Sequence, residues 1–301
     1  MPTASDITNI SDTLFLTLAL LLLLALVQIN RLKSSPILAL VNRWLRWATF
    51  ATCAAYLWWN FGITAHPYWL LVIVFALLWF LGETLYNWMA VKALSESPLP
   101  LFPKYAPNET GEEWPIQPRY QKVRAELRAL GYTHAQSLRA EIIQGIFLRV
   151  SIYHDARAER RLQITFLPRP NAAVAMCASI ATLTLDNHRY VTDNVFLPYA
   201  GFYPENWLVD RTPWTRSLAK LQTRHTARLT RANETPAPWT TAPLDDLNTQ
   251  QRDLEQLNTQ LGFLTAHAQR EEHGKVTPAG RYRVWKEIWT LNYLGRSAKY
   301  L

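Results

Sequence analysis

Apolar residues follow one another almost without interruption in three stretches near the start of the chain: Leu14–Ile29, Trp47–Thr64 and Tyr68–Ala90. A helix needs about 20 mostly apolar residues to cross a hydrocarbon layer of about 30 Å. Tyr68–Ala90 meets that length with one acid, Glu83. Trp47–Thr64 is shorter and uncharged, and extends back through Trp44 and Leu45. Leu14–Ile29 is a Leu/Ala run that Thr13 and Asn30 complete. The pattern predicts a transmembrane unit over residues 1–94, with spans at about 14–30, 45–64 and 68–90. The first run is not read as a secretory leader, because Asp6 and Asp12 precede it where a leader carries cations.

The period then changes. Ser95–Pro118 carries six prolines and reads as an extended linker over residues 95–118. Pro118–Leu130 is helical, with Tyr120, Val123, Leu127 and Leu130 inward and Gly131 at its stop. From Leu138 to Tyr153 the apolar positions alternate, which indicates a strand, broken at Gly145, with one covered face. Further strands are expected at Leu162–Leu167, Ala173–Leu185 and Tyr190–Phe196, joined at His154–Arg161, Pro168–Asn171 and Asp186–Arg189. The predicted fold class is therefore α+β, a sheet of four or five antiparallel strands flanked by helices over residues 119–231.

Leu197–Trp214, rich in Pro and aromatic residues, reads as a loop that closes one end of the sheet or contacts a ligand. A helix opened by Thr212-Pro213 then runs to about Arg231, with Leu218, Leu221, His225 and Leu229 on one face. Arg216, Lys220, Arg224, Arg228 and Arg231 lie on the other. Residues 232–301 are predicted as a C-terminal helical hairpin and tail. Leu244–Glu272 forms its first helix, with Leu247, Leu254 and Leu261 at heptad spacing, which leaves both self-association and packing on its own domain open. The last helix, from Thr277-Pro278, carries Trp285 and Trp289 beside a basic face.

Charge adds an orientation. Lys and Arg are retained in short cytoplasmic loops. Arg31, Lys33, Arg43 and Arg46 fall between the first two spans, Lys92 and Lys104 follow the third, and neither the N-terminal tail nor Thr64–Pro67 has any. The expected placement is the cytoplasmic (inner) membrane, multi-pass, with the N-terminus outside and the C-terminal domain in the cytoplasm. A two-span hairpin with the first run in the interface is the alternative. Glu83 lies in the cytoplasmic third of its span, within reach of Arg46 or Arg43, and a pair with Arg46 is the expected form. The net charge of +8 on 301 residues is concentrated in 119–231 and in the tail. The basic stripe suits a solvated face, an anionic leaflet or a protein partner, with nucleic acid less favoured. Trp285 and Trp289 suit membrane or partner contact.

Candidate chemistry is sparse. Cys53 and Cys177 have no spacing pattern, and ten glycines with no Gly-rich loop leave little to cradle phosphate. No cofactor or metal is expected. The best cluster is His188, Asp193 and His225, weak candidates for a membrane-bound hydrolase or transferase; His225 on an apolar face also suits a core histidine. The favoured expectation is a membrane-anchored binding or scaffold protein, an assembly or accessory component of an envelope complex.

Overall fold

The computed structural model describes residues 4–33, 36–168 and 174–298. The connection expected at Pro168–Asn171 falls, after Pro168, outside the described residues, as do Ala173 and Lys299. The chain divides into two compact units, one running up to Val91 and taking in Ile288–Ala298, the other Lys92–Glu287.

The first unit holds helices α1 (Ala4–Lys33), α2 (Pro36–Asn60) and the start of α3 (Tyr68–Glu96). Ala51 and Ala55 of α2 are buried, small side chains that permit close helix approach. The indole of Trp47 donates to the Ala76 carbonyl at 2.9 Å, and the Tyr68 hydroxyl to that of Thr52 at 3.2 Å. Of the described helices, α3 is long and apolar enough to cross a membrane, and only 6% of its most apolar stretch is buried. The apolar part of α1 is the shorter run Thr17–Asn30, and α2 carries Arg43 and Arg46 in its first half.

This unit also contains Ile288–Ala298, which the sequence pattern assigns to a separate C-terminal hairpin. The last helix, Pro278–Trp289, continues into a π-helical turn, Thr290–Leu294. Tyr293 packs edge-on to Trp44 and Trp47 with centroids 5.2 and 5.5 Å away, and Trp289 meets Phe80 at 5.0 Å. The Trp44 indole donates to the Tyr293 carbonyl at 3.0 Å. Aromatic burial of this kind outweighs what the basic face of the last helix suggests.

The second unit is built on a mixed, mostly antiparallel sheet of eight strands in the order β1 to β7, with β8 paired to β5. The strands are β1 (Ala106–Pro107), β2 (Thr133–Ile143), β3 (Ile146–His154), β4 (Arg160–Pro168), β5 (Val174–Thr184), β6 (Arg189–Asp193), β7 (Trp207–Arg211) and β8 (Pro236–Ala237). The sheet therefore exceeds the four or five strands predicted. Leu138–Tyr153 is a hairpin rather than one strand: Gly145 takes φ +77° and Ile143 pairs with Ile146. The loop predicted at Leu197–Trp214 contains β7, which pairs with β6 in parallel.

Both sheet faces are covered. On one, Leu162, Ile164 and Phe166 of β4 and Ile180 of β5 meet Tyr120 and Leu127 of α4 (Pro118–Ala129) and Leu218 and Leu221 of α5 (Leu218–Ala232). On the other, Leu138, Val150 and Ile152 meet Leu247 of α6 (Pro243–Gln260) and Tyr105. Alternation along each strand sends neighbouring residues to these opposite layers.

Three further expectations need correction. Residues 95–118 are not an extended linker: Ser95, Tyr105 and Trp114 are buried, and β1 pairs with β2. Helix α5 starts at Leu218, not at Pro213. The Ser217 hydroxyl accepts from the Lys220 amide, while the Glu126 carboxylate accepts from the Ser217 hydroxyl at 2.7 Å and the Ala219 amide at 2.9 Å, which satisfies donors that the first turn leaves open. Helix α6 ends at Gln260 because Gly262 adopts φ +73°, a left-handed stop. Leu247 and Leu254 are buried in their own domain and Leu261 is exposed, so no heptad seam is presented.

Candidate functional site

The three residues weighed as a catalytic cluster have separate surroundings. His188 sits at the β5–β6 turn, where Asn187 takes φ +60°, and its Nδ1 lies 2.7 Å from Glu234. Asp193 accepts from the Val195 amide at 3.0 Å and lies 3.4 Å from Arg211. Burial pushes its carboxyl above the ordinary range, with Arg211 opposing. His225 is fully buried, with Nε2 2.9 Å from the Thr182 hydroxyl and Nδ1 2.9 Å from that of Thr192. Burial lowers its pKa to about 3, and Arg228 and Arg160 add to the effect. Thr192 and Asp193 are successive residues of β6, so His225 and Asp193 lie on opposite faces of the sheet. The cluster does not converge. Among the described residues no group of three His, Cys, Asp or Glu side chains could hold a metal ion.

The basic stripe of α5 is partly spent on its own sheet. Arg224 forks onto Asp210 at 2.6 and 3.1 Å. Arg228 donates to the Val191 and Leu208 carbonyls and the Thr192 hydroxyl, each at 2.7 Å, and so ties β6 to β7. Arg216, Lys220 and Arg231 are exposed.

Of the two aromatic candidates, Trp285 stacks on Tyr282 at 5.7 Å. Trp289, half-buried, stacks on Tyr293 at 4.2 Å inside the helical unit. Glu83 meets Arg43 at 3.5 Å, the Trp79 indole at 3.1 Å and the Tyr293 hydroxyl. Arg46, the expected partner, is exposed; Arg43, one turn earlier on α2, is the cation that Glu83 meets.

A different arrangement sits between the sheet and α6. Arg161 is the second residue of β4, Arg189 opens β6, and Asp246 lies in the first turn of α6. Strand alternation turns both arginines toward α6 and leaves Leu162 and Tyr190 on the other side. Arg161 donates to Asp246 at 2.7 Å and to the Thr241 carbonyl at 2.7 Å. Arg189 forks onto both Asp246 oxygens at 3.1 and 2.9 Å. The ring of Trp239 lies against both guanidinium groups, 4.0 Å from Arg161 and 4.9 Å from Arg189, and Trp207 lies 4.8 Å from Arg189. Such rings stabilise a desolvated cation.

Arg161 is 2% exposed and Arg189 7%, so their charges have little help from water. Burial holds Arg161 below the ordinary guanidinium range, Asp246 opposes this, and Arg189 adds to it. His154, whose Nε2 is 3.1 Å from the Arg161 Nε, is also held low by burial and then by Arg161, and serves as a neutral acceptor. Two cations thus share one carboxylate. Beside them is a cavity of about 70 Å³, lined by Gln163, Ser179, Val191, Trp207 and Gln250. The Nε of Arg189, which lines the cavity, is buried without a hydrogen-bond partner.

Sequence reading missed this site because both arginines stand next to turns and pass for loop cations. Their inward parity, read against Leu162 and Tyr190, was the available signal. The chain matches no family model, no curated protein and no solved structure.

Proposed function

We propose that this is a multi-pass membrane protein whose α+β domain faces the cytoplasm and acts by binding, as a scaffold or accessory component of an envelope complex. The observation that carries the reading is the apolar surface left open on all three N-terminal helices. Leu18, Leu21 and Leu24 of α1, Leu57 and Trp59 of α2, and Leu77, Leu81 and Leu85 of α3 are all exposed. Water does not tolerate contiguous apolar surface of this extent, and lipid does. The distribution of Lys and Arg around the spans supports the orientation. The separate engagement of His188, Asp193 and His225 supports binding over hydrolysis or group transfer. Exposed Lys220 and Arg231 suit an anionic leaflet or an acidic protein partner, each cation contributing about 1 kcal/mol near a charged membrane.

The test is extraction of membranes at alkaline pH, paired with a reporter fused after Leu301. Retention in the pellet with a cytoplasmic reporter is expected. Release into the supernatant would remove the spans, and an external reporter would reverse the orientation. Crosslinking in intact membranes before purification is expected to recover stoichiometric protein neighbours. A chain that crosslinks only to lipid would end the scaffold assignment.

A further inference from the structure

We infer that the cavity beside Arg161 and Arg189 binds a small carboxylate, the acid group of a compact organic ligand. The inference concerns the sheet domain alone and does not depend on the membrane placement.

A cluster that serves stability alone tends toward charge balance, because an uncompensated buried ion is costly. Arg161 and Arg189 have one carboxylate between them, that of Asp246, and the nearby His154 is neutral. The next acid on the cavity wall, Asp193, is four residues along β6 from Arg189, about 13 Å on an extended strand, where it and the buried Glu287 share one cation, Arg211. The cavity therefore runs from a cationic end to an acidic one, and an anion is drawn to the arginines.

The donors at that end suit a carboxylate. Arg189 already binds one through a two-point fork, so its plane is set for that geometry. Its Nε–H remains buried and unpartnered, while Ser179, also on the cavity wall, stands opposite Asp193 at the acidic end. Size narrows the class. A cavity of about 70 Å³ is roughly half of one known to hold benzene. It takes an acid the size of acetate or propionate. Bulky phosphorylated ligands exceed this volume.

The experiment is a titration of the detergent-solubilised full chain with propionate, followed by saturation-transfer NMR at constant ionic strength, with chloride and inorganic phosphate as comparison arms. Saturable transfer to propionate, absent with a chloride balance alone, is expected. Asp246→Asn, which removes the competing carboxylate, is expected to bind propionate at least tenfold more tightly. Ala181→Leu, which fills the cavity at the wall position opposite Arg161 without replacing any of the three ionic residues, is expected to bind at least tenfold more weakly with an unchanged far-UV spectrum. Ala181→Val serves as the smaller filling variant if the first loses that spectrum. Transfer that fails to saturate in the wild type overturns the proposal, as does undiminished binding in a folded cavity-filled variant. Competition by phosphate at lower concentration than propionate overturns the carboxylate assignment.

Discussion

His225 makes the sheet domain sensitive to mild acid, by an amount that follows from its surroundings. The imidazole is enclosed between α5, β5 and β6, with each nitrogen 2.9 Å from a threonine hydroxyl, and its pKa falls from 6.5 to about 3. The unfolded chain therefore takes up a proton below pH 6.5 that the folded chain refuses until about pH 3. Because the unfolded state binds more protons in this window, stability falls as pH falls through it and is unaffected above it. At pH 5 the loss from this one group is about 2 kcal/mol, since each unit of pKa difference expressed is worth about 1.4 kcal/mol. Hydrogen exchange on peptides from β5 and β6, corrected for intrinsic rates, is the assay. Protection is expected to drop about thirty-fold between pH 7.5 and pH 5 in the wild type. In His225→Gln, which offers the hydroxyls a neutral partner, this component is expected to disappear. Taking the difference between the two proteins cancels other titrating groups such as Asp193. Equal pH dependence in both proteins, or an imidazole titrating near 6.5 in the folded chain, would refute the reasoning.

Other perturbations test separate parts of the fold. A Cβ on Gly280 would lie 2.4 Å from the Phe263 carbonyl oxygen and 2.7 Å from a Val276 methyl; Gly280→Ala is expected to lower the thermal midpoint by several degrees. Gly82→Ala, with nothing within 4 Å, is expected to leave it unchanged or raise it slightly. Removing the carboxylate that closes the start of α5, by Glu126→Ala, is expected to cost about 1 kcal/mol in urea titration, and Glu126→Gln less, since an acceptor remains. Charge reversal at Arg43 or Glu83 alone is expected to reduce the folded yield in membranes. The double exchange Arg43→Glu with Glu83→Arg is expected to restore part of it, whereas additive losses would show that the 3.5 Å contact carries no coupling.

What could be read from the residues was what repeats within one element. The alternation at Leu138, Ala140, Leu148, Val150 and Ile152 marks one covered face, and these residues do share a cluster. The turn at Gly145 was blurred because Ile142, Ile143, Ile146 and Phe147 carry the apolar pattern straight through it. The apolar face of α5 was legible for the same reason, and His225 proved to be a core residue on it. Its start was misplaced because Pro213 resembles a first-turn proline, while the true cap depends on Glu126, 91 positions from Ser217. The strand β7 was lost among prolines and aromatics, since its pairing with β6 is parallel and leaves no hairpin signature.

The ionic site belongs to a further class, in which no member is unusual alone. Asp246 is 85 positions from Arg161 and 57 from Arg189, and each looks like a solvated charge beside a turn. Only the sheet order brings them together: β4 and β6 flank β5 and present the same face to the first turn of α6. Once there, the burial that makes two guanidinium groups expensive is what makes a second, incoming carboxylate favourable. A site of this kind is specified by topology acting on ordinary residues. It is therefore most visible as an imbalance, two buried cations against one acid, rather than as a motif.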